Sequence, residues 1–376
     1  MCDGPSGVAG VFMRASLPLA APFLEYHSPR IKALLDRYEE KGSIHSTLLF
    51  TGIEGVGKKS LVLHFIQTLF CDESIFANSE EDSTPGLFGE PGISSKKTAR
   101  TPCGTCSSCT RASRDQWLDL YWFDPESSDE GTRLGTHKIE AFRELKGKLG
   151  LGPSSEPFKI VVIADADRMT PAAANSILKM LEEPPRNWIF ILTASESSRL
   201  LPTILSRCME VKLAPIPSGP LFSILKASKG LDFNSTRGQV AARSANGSLT
   251  RALQFSSEEV WTLREQILGL LSSPAHEWMK LVEALSKSQI QAHLGLDLLE
   301  SVFSDILLAQ IKNDSHEWTN QDQRDLLLQI SEVRKLGPDR LCRILESLAE
   351  KRKLVNLPLN ARLLAQEILI PVLEVL

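Results

Sequence analysis

Short apolar runs alternate with amphipathic stretches over the first two thirds of the chain, a pattern typical of an α/β protein. Three runs have the length of strands: residues 47–50 (TLLF), 160–163 (IVVI) and 188–193 (WIFILT). Near-continuous β-branched and apolar runs of this kind predict strands that are buried on both faces of a parallel sheet. Further strands are predicted at 118–123 and 209–213.

Helices are predicted where apolar residues recur at helical spacing. One such helix covers 28–41 and another covers 136–149. A third has Thr170 as its N-cap and Pro171 in its first turn. From residue 255 onward the pattern is helical throughout. The predicted helices of this region are 258–271, 277–287, 289–312, 321–336, 338–353 and 360–375.

Composition fits an ordinary protein of two or three domains. The chain has 376 residues, 42% of them hydrophobic and 23% charged, with a net charge of −4. This charge argues against a protein coated in phosphate-binding lysine and arginine. No apolar run reaches the roughly 18 residues that a membrane span needs. We expect residues 1–20 to be a flexible lead and not a signal peptide, and residues 72–102 (rich in Ser, Glu, Gly and Pro) to be a flexible insertion.

The segment Thr51–Ser60 (TGIEGVGKKS) has the form of a phosphate-binding loop between a strand and a helix. Gly52, Gly55 and Gly57 allow the backbone N–H groups to turn toward a polyphosphate. Lys58 occupies the place of the phosphate-binding lysine. The spacing predicts a P-loop architecture.

Two positions depart from the pattern of a hydrolysing P-loop. Lys59 stands where Ser or Thr would place a hydroxyl on magnesium. Asp165 follows a buried strand and fits either a magnesium-holding aspartate or an ordinary residue of a turn at a strand end. Ala166 follows it, where a water-polarising glutamate would stand. Thr193 and Ser195 fit either a γ-phosphate sensor or ordinary strand-end hydroxyls. Lys59 and Ala166 argue against ATP hydrolysis at this site.

Three of the seven cysteines, Cys103, Cys106 and Cys109, lie within seven residues of one another. Overlapping C-x-x-C steps bring three thiolates to one metal, and Cys71 is the natural fourth ligand of a tetrahedral zinc site. Buried or redox-active cysteines are the alternative. Four thiolates leave no open position for water, so the predicted zinc site is structural.

Taken in order, these motifs resemble the clamp-loader branch of the AAA+ proteins, specifically that of bacterial DNA polymerase III. The matching stretches are 45–58, the four cysteines, 159–169, 175–185 (NSILKMLEEPP), 206–208 (SRC) and 246–253 (NGSLTRAL). The resemblance is detailed over residues 25–255. The C-terminal third matches in being helical and in 360–364 (NARLL).

The resemblance implies an architecture of three parts. Residues 21–214 form an α/β AAA+ P-loop domain with a parallel sheet and an inserted zinc module at 103–109. Residues 215–256 form a small helical lid, and 257–376 form an all-α collar for oligomerisation. A plain helical bundle is the alternative for the last part. In the lid, ATPase relatives carry a sensor arginine soon after Gly-Ser, whereas here Arg251 is offset.

The resemblance also implies a function. The family uses ATP bound between subunits to load the ring-shaped sliding clamp onto primed DNA. Arg207 would be an arginine finger that acts in trans on a neighbour's ATP. The chain itself would be a stator-like subunit whose degenerate nucleotide site (Gly52, Gly55, Gly57, Lys58, Asp165) binds ATP or ADP weakly or not at all.

The expected partners are tau/gamma and delta subunits in a cytoplasmic hetero-pentamer within the DNA polymerase holoenzyme, without a membrane. No intrinsic ATPase activity is expected from this chain alone. Two other functions remain open: an active ATPase subunit of the tau/gamma kind, and a zinc-stabilised nucleic-acid-binding module. The absence of a dense basic or aromatic-interleaved stripe argues against the second of these.

Overall fold

A computed structural model describes thirteen segments of the chain. They are residues 21–41, 44–71, 75–76, 100–113, 116–117, 119–126, 135–148, 152–154, 156–227, 236–271, 278–312, 318–355 and 360–375. These residues form two compact units. Unit 1 comprises the described residues from 21 to 126 and from 135 to 215, and unit 2 comprises those from 216 onward.

Unit 1 contains all seven strands. They are β1 (Thr47–Thr51), β2 (Ile75–Phe76), β3 (Arg100–Thr101), β4 (Leu120–Phe123), β5 (Lys159–Ile163), β6 (Trp188–Ala194) and β7 (Met209–Lys212). Five of them form a parallel sheet in the order β4-β5-β6-β1-β7. Every residue of β1, β5 and β6 is buried, which explains their predominantly apolar sequences.

The described residues of unit 1 form six α-helices. They are α1 (Ala21–Lys41), α2 (Lys58–Phe70), α3 (Ser107–Ser113), α4 (Ile139–Lys148), α5 (Pro171–Glu182) and α6 (Pro202–Leu205). The predicted cap of α5 is present, since the Thr170 side chain accepts the N–H of Ala173 at 3.3 Å. Helix α6 is followed directly by Ser206, Arg207 and Cys208.

Helix α1 differs from its prediction, because it reaches back at least to Ala21 and contains Pro29. A proline removes one helical hydrogen bond, so the pattern favoured a start beside it. Phe23 and Ile31, on either side of Pro29, are 1% and 2% exposed. Burial of both flanks offsets the lost hydrogen bond.

The base of the inserted segment contains an unpredicted antiparallel pair, in which Ile75 opposes Thr101 and Phe76 opposes Arg100. The rest of the predicted insertion before residue 100 lies outside the described residues, as does the predicted lead 1–20. Cys103 follows strand β3 by two residues, so this pair helps to bring the cysteine segment back toward the end of α2.

Unit 2 is helical. Its helices are α7 (Ser218–Ala227), α8 (Thr236–Ser244), α9 (Leu249–Phe255), α10 (Glu258–Leu271), α11 (Trp278–Leu285), α12 (Gln289–Lys312), α13 (Arg324–Val333), α14 (Pro338–Val355) and α15 (Ala361–Val375). One hydrophobic cluster includes Ala241 of α8, Phe255 of α9 and the buried side chains of α10–α15. The division of this region into a lid and a collar stays a prediction.

The predicted fold class is confirmed in its main parts: a parallel α/β domain with a P-loop, an inserted cysteine cluster and a helical C-terminal region. Within the ranges that the structure describes, no helix is long and apolar enough to cross a membrane.

Candidate nucleotide and metal sites

Helix α2 positions two separate clusters, one at each of its ends. Its N-terminal end follows the glycine loop directly, with Gly57 as N-cap and Lys58 as its first residue. Its C-terminal cap is Cys71. Helix α2 therefore carries the phosphate-binding loop at its N-terminal end and the first predicted metal ligand at its C-terminal end.

The loop backbone has the conformation that its glycines permit. Gly55 and Gly57 have φ values of 76° and 96°, in the left-handed region that disfavours other residues. At Gly57 a Cβ atom would also overlap the ring of Phe23, which α1 places against the loop. Glycine is therefore required at position 57 both by its φ angle and by the ring packed on it.

Lys58 is buried, with 5% of the residue exposed, and its ammonium bonds three neutral oxygens. It donates to the carbonyls of Gly52 at 2.7 Å and Ile53 at 3.1 Å and to the Ser195 hydroxyl at 3.0 Å. Burial lowers the pKa of Lys58, and nearby Asp165 opposes this effect. Ser195, one of the two predicted sensor hydroxyls, is thus a partner of the loop lysine.

Lys59 points to the carboxyl ends of the neighbouring strands. Its ammonium lies 2.8 Å from an oxygen of Asp124, which follows β4, and 3.0 Å from an oxygen of Asp165, which follows β5. Burial would lower the pKa of Lys59, but the hydrogen bond to Asp124 and the charge of Asp165 raise it. The residue at the position of the magnesium-binding hydroxyl is therefore a cation bonded to the candidate magnesium-binding aspartate.

The turn after β5 is held by internal hydrogen bonds. Asp165 has φ 50°, and its N–H donates to the Thr193 hydroxyl at 2.9 Å. Ala166 is 1% exposed and offers no polar group. The carboxylate of Asp167 accepts the N–H of Ser195 at 3.2 Å, because the strand gives way to a turn here. Thr193 and Asp167 therefore support the backbone of the two strand ends.

The four predicted metal ligands lie together. The sulfur atoms of Cys71, Cys103, Cys106 and Cys109 are all within 4.8 Å of one another. Two separations are 3.9 Å (Cys106 to Cys71) and 4.0 Å (Cys103 to Cys109). Four thiolates at about 2.3 Å from a zinc ion would be about 3.8 Å apart in a tetrahedron. Both the donor set and its spacing fit a structural zinc ion.

Backbone N–H groups surround these sulfur atoms. The Cys103 sulfur accepts the N–H of Cys106 at 3.3 Å and of Thr105 at 3.5 Å, and these bonds lower the pKa of Cys103 to about 6. The Cys71 and Cys106 sulfurs accept the N–H groups of Cys103 and Cys109. Such donors stabilise the thiolate form, which is the form that binds metal.

A buried ion pair anchors the cysteine segment to the sheet. Arg111 of α3 pairs with Glu156, whose side chain is 3% exposed, and the Ser108 hydroxyl donates to the same carboxylate at 3.0 Å. The Glu156 N–H in turn donates to the fully buried Asp119, just before β4, at 3.0 Å. The cluster is therefore attached to the α/β core on two sides, through Cys71 and through Glu156.

Arg207 lies away from the loop, at the end of α6, with 31% of its side chain exposed. It contacts Glu182, the last residue of α5, at 2.5 Å and the carbonyl of Thr203 at 2.7 Å. Because Glu182 is itself 45% exposed, this is a surface ion pair of low stability. The Arg207 guanidinium is therefore held in place but lightly.

Arg251, the offset lid arginine, forms an ion pair with Asp297 of α12, whose side chain is 4% exposed. Arg352 of α14 pairs with the same carboxylate at 2.6 Å. Arg251 thus serves the packing of unit 2.

Sequence analysis missed several residues of these clusters, among them Asp124, Glu182 and Glu156. A signal for Asp124 existed: it follows a predicted strand directly, as Asp165 does, and the carboxyl ends of parallel strands share one edge of the sheet. Glu182 stood inside the recognised LEEPP stretch, but its pairing with Arg207 depends on how α5 packs against α6.

Comparisons with known proteins agree with the resemblance found in the sequence. The family model of the DNA polymerase III delta subunit matches residues 87–217. The model of the C-terminal part of the DNA polymerase III delta subunit matches residues 258–372. Together the two models cover more than half of the chain.

Individual relatives are also subunits of DNA polymerase III. The chain is 28% identical to the DNA polymerase III subunit delta' of Escherichia coli (strain K12), covering 86% of this chain and 87% of the relative. For the delta' subunit of Bacillus subtilis (strain 168) the values are 26%, 76% and 79%. The Escherichia coli subunit tau is 28% identical over 58% of this chain and 30% of its own length. The chain belongs to the DNA polymerase III delta-subunit family.

Proposed function

We propose that this chain is a delta' subunit of the DNA polymerase III clamp loader: a stator that does not hydrolyse ATP itself and supplies Arg207 to a neighbour's ATP site. The observation that supports the proposal is a contrast between two cationic side chains, Lys59 and Arg207. Lys59 pairs with two carboxylates of its own chain, whereas Arg207 pairs with one, that of the exposed Glu182.

The nucleotide site of this chain lacks two parts of a hydrolytic centre. Lys59 replaces the hydroxyl that would bind magnesium, and its ammonium bonds Asp165. Ala166 is buried and apolar where a water-polarising carboxylate is needed. Without a positioned cation and an activated water, little remains to stabilise phosphoryl transfer. This supports a site that does not hydrolyse ATP.

Arg207 has the properties of a finger for a neighbouring site. A guanidinium keeps its charge and offers a planar fork to developing phosphoryl charge. Its bond to Glu182 can exchange for a phosphate at little cost, because exposed ion pairs contribute only about 0–1 kcal/mol. Glu182 would keep the side chain extended until the neighbouring nucleotide arrives.

The zinc site has a structural role in this proposal. Four cysteine ligands close the coordination sphere, and α3 is tied to the sheet through Glu156. The expected partners are tau/gamma and delta subunits in a cytoplasmic hetero-pentamer, with the sliding clamp and primed DNA reached through the complex.

The test is a loader reconstituted with Arg207→Ala. Loss of a finger typically costs about 10³-fold or more in hydrolysis at its interface, so clamp loading should fall by at least about tenfold while the complex still assembles. Arg199→Ala is the matched control, since Arg199 is 52% exposed and also ion-paired in unit 1, with Glu196. Arg207→Ala loaders that assemble and load at the unsubstituted rate would refute the finger role.

An active ATPase subunit of the tau/gamma kind is the second candidate. The intact glycines of the loop, the buried Lys58 and the similarity to tau over 58% of the chain favour it. ATP turnover by the chain alone separates the two candidates.

A further inference from the structure

Lys58 and Lys59 are neighbours in the chain, but their ammonium groups have different kinds of partner. Lys59 lies between two carboxylates, those of Asp124 and Asp165. Lys58 bonds two carbonyls and one hydroxyl. Within the described part of the chain, no carboxylate lies at ion-pair distance from the Lys58 ammonium. One cation is therefore neutralised and the other is buried without an anion.

A buried ammonium that has only neutral partners carries a desolvation cost that an anion would relieve. Burial lowers the pKa of Lys58 for the same reason. A phosphate oxygen would form a stronger, charge-assisted bond than the carbonyls of Gly52 and Ile53 do now. The loop also provides the left-handed glycines and the N-terminal end of the 13-residue helix α2. The Lys58 side of the loop thus retains what a phosphate requires.

On the Lys59 side the place of a divalent cation is already filled. In a magnesium-dependent P-loop the cation is held near the hydroxyl of the residue after the lysine. Here that residue brings its own positive charge to within 3.0 Å of Asp165. A magnesium ion beside this ammonium would be repelled and would find its carboxylate ligands occupied.

We propose that the loop binds a nucleoside diphosphate without a divalent cation, with Lys58 holding the β-phosphate and Lys59 standing in for the metal. A single ammonium charge replaces the two charges of magnesium, and a diphosphate carries one negative charge less than a triphosphate. On this charge balance we expect ADP to bind more tightly than ATP in the same titration. This inference goes beyond the clamp-loader role and does not depend on it.

The test is calorimetric titration of the full chain with ADP, in EDTA and in excess magnesium. The expected dissociation constants differ by less than about fivefold between the two conditions. Lys58→Ala should weaken binding by at least about tenfold. Lys59→Thr supplies the missing hydroxyl and frees both carboxylates. In this variant magnesium should tighten ADP binding by about tenfold or more, while binding in EDTA falls below that of the unsubstituted chain.

Lys138→Thr is the control, since Lys138 is 63% exposed and pairs only with Glu126 among the described carboxylates. Lys138→Thr should bind ADP with the same dissociation constants as the unsubstituted chain. Absence of ADP binding in EDTA, or magnesium tightening the unsubstituted chain by about fivefold or more, overturns the proposal. Both of these measurements use the unsubstituted chain, so the proposal stays testable even if Lys59→Thr folds poorly. Lys59→Arg keeps the positive charge, and its ADP binding should remain independent of magnesium. The titration does not measure clamp loading. A negative result would therefore not bear on the proposed role of Arg207, which the Arg207→Ala loader tests separately.

Discussion

The two ends of helix α2 are built in contrasting ways. At the Cys71 end every ligand of a metal site is present, and the four sulfur atoms already have nearly tetrahedral spacing. At the Lys58 end the backbone of a phosphate loop is present, but Lys59 and Ala166 replace the side chains of a hydrolytic centre. One helix thus joins a complete site to an incomplete one.

The difference separates two requirements that usually occur together. Backbone shape at the loop depends on Gly55 and Gly57, and it also places α1 and α2 in the fold. The magnesium-binding hydroxyl and the water-polarising carboxylate of a hydrolysing P-loop serve phosphoryl transfer instead. A subunit that does not hydrolyse ATP can lose the catalytic side chains, but it must keep the backbone shape of the loop. At the cysteine cluster no such separation exists, because the ligands themselves hold the segment together.

The largest effect is expected at the complete end. Cys106→Ser removes one zinc ligand, so zinc content should fall from about one to well below one equivalent per chain. Loss of a structural metal should destabilise unit 1 by about 3 kcal/mol, which lowers the melting midpoint by about 6–12 °C. Metal analysis and differential scanning calorimetry measure both quantities.

Cys342→Ser is the control for this substitution, because Cys342 is exposed on α14 and lies outside the cluster. It should leave zinc content and melting unchanged. Full zinc content in Cys106→Ser would mean that the cluster is not the metal site, and the contrast between the two ends of α2 would be lost.

A smaller effect is expected from the backbone of the incomplete end. Gly57→Ala places a Cβ at φ 96° and against the ring of Phe23, which should cost about 1–3 kcal/mol. Gly147→Ala is a control of opposite sign, since Gly147 lies in α4 with open space around it and alanine there should stabilise by about 0.5–1 kcal/mol. Urea unfolding compares the two. Equal stability of Gly57→Ala and the unsubstituted chain would show that the loop backbone is not constrained.

Much of this arrangement could be predicted from the sequence because it depends on local patterns. The strands β1, β5 and β6 are predominantly apolar, since every residue in them is buried. The Cys103–Cys109 spacing is short enough to predict shared ligation without knowledge of the fold. The N-terminal boundary of α12 agrees with its prediction at Gln289, where the apolar pattern begins.

What the sequence could not provide is the set of partners brought together by topology. Asp124 and Lys59 are 65 residues apart, and they meet because β4 lies beside β5 and Lys59 of α2 reaches the ends of both strands. Glu182 and Arg207 meet because α5 packs on α6. The early start of α1 was missed because the gain from burying Phe23 depends on a loop more than 30 residues away. Each of these is a tertiary contact, and only Asp124 carries a local signal, its place directly after a predicted strand.

The smallest expected effect is a null result at the Lys58 end, and it bears most directly on the contrast. Lys58→Ala should leave ATP turnover by the purified chain unchanged, because neither chain should exceed background with magnesium present. Removal of a P-loop lysine from a working ATPase abolishes its contact with the transferred phosphate and with it most of the rate. A coupled assay of phosphate release measures both chains, with an active P-loop ATPase as positive control. Turnover that is present in the unsubstituted chain and absent from Lys58→Ala would mean that Lys59 and Ala166 do not disable the site. The incomplete end of α2 would then be a working motor, and the tau/gamma-like alternative would replace the stator.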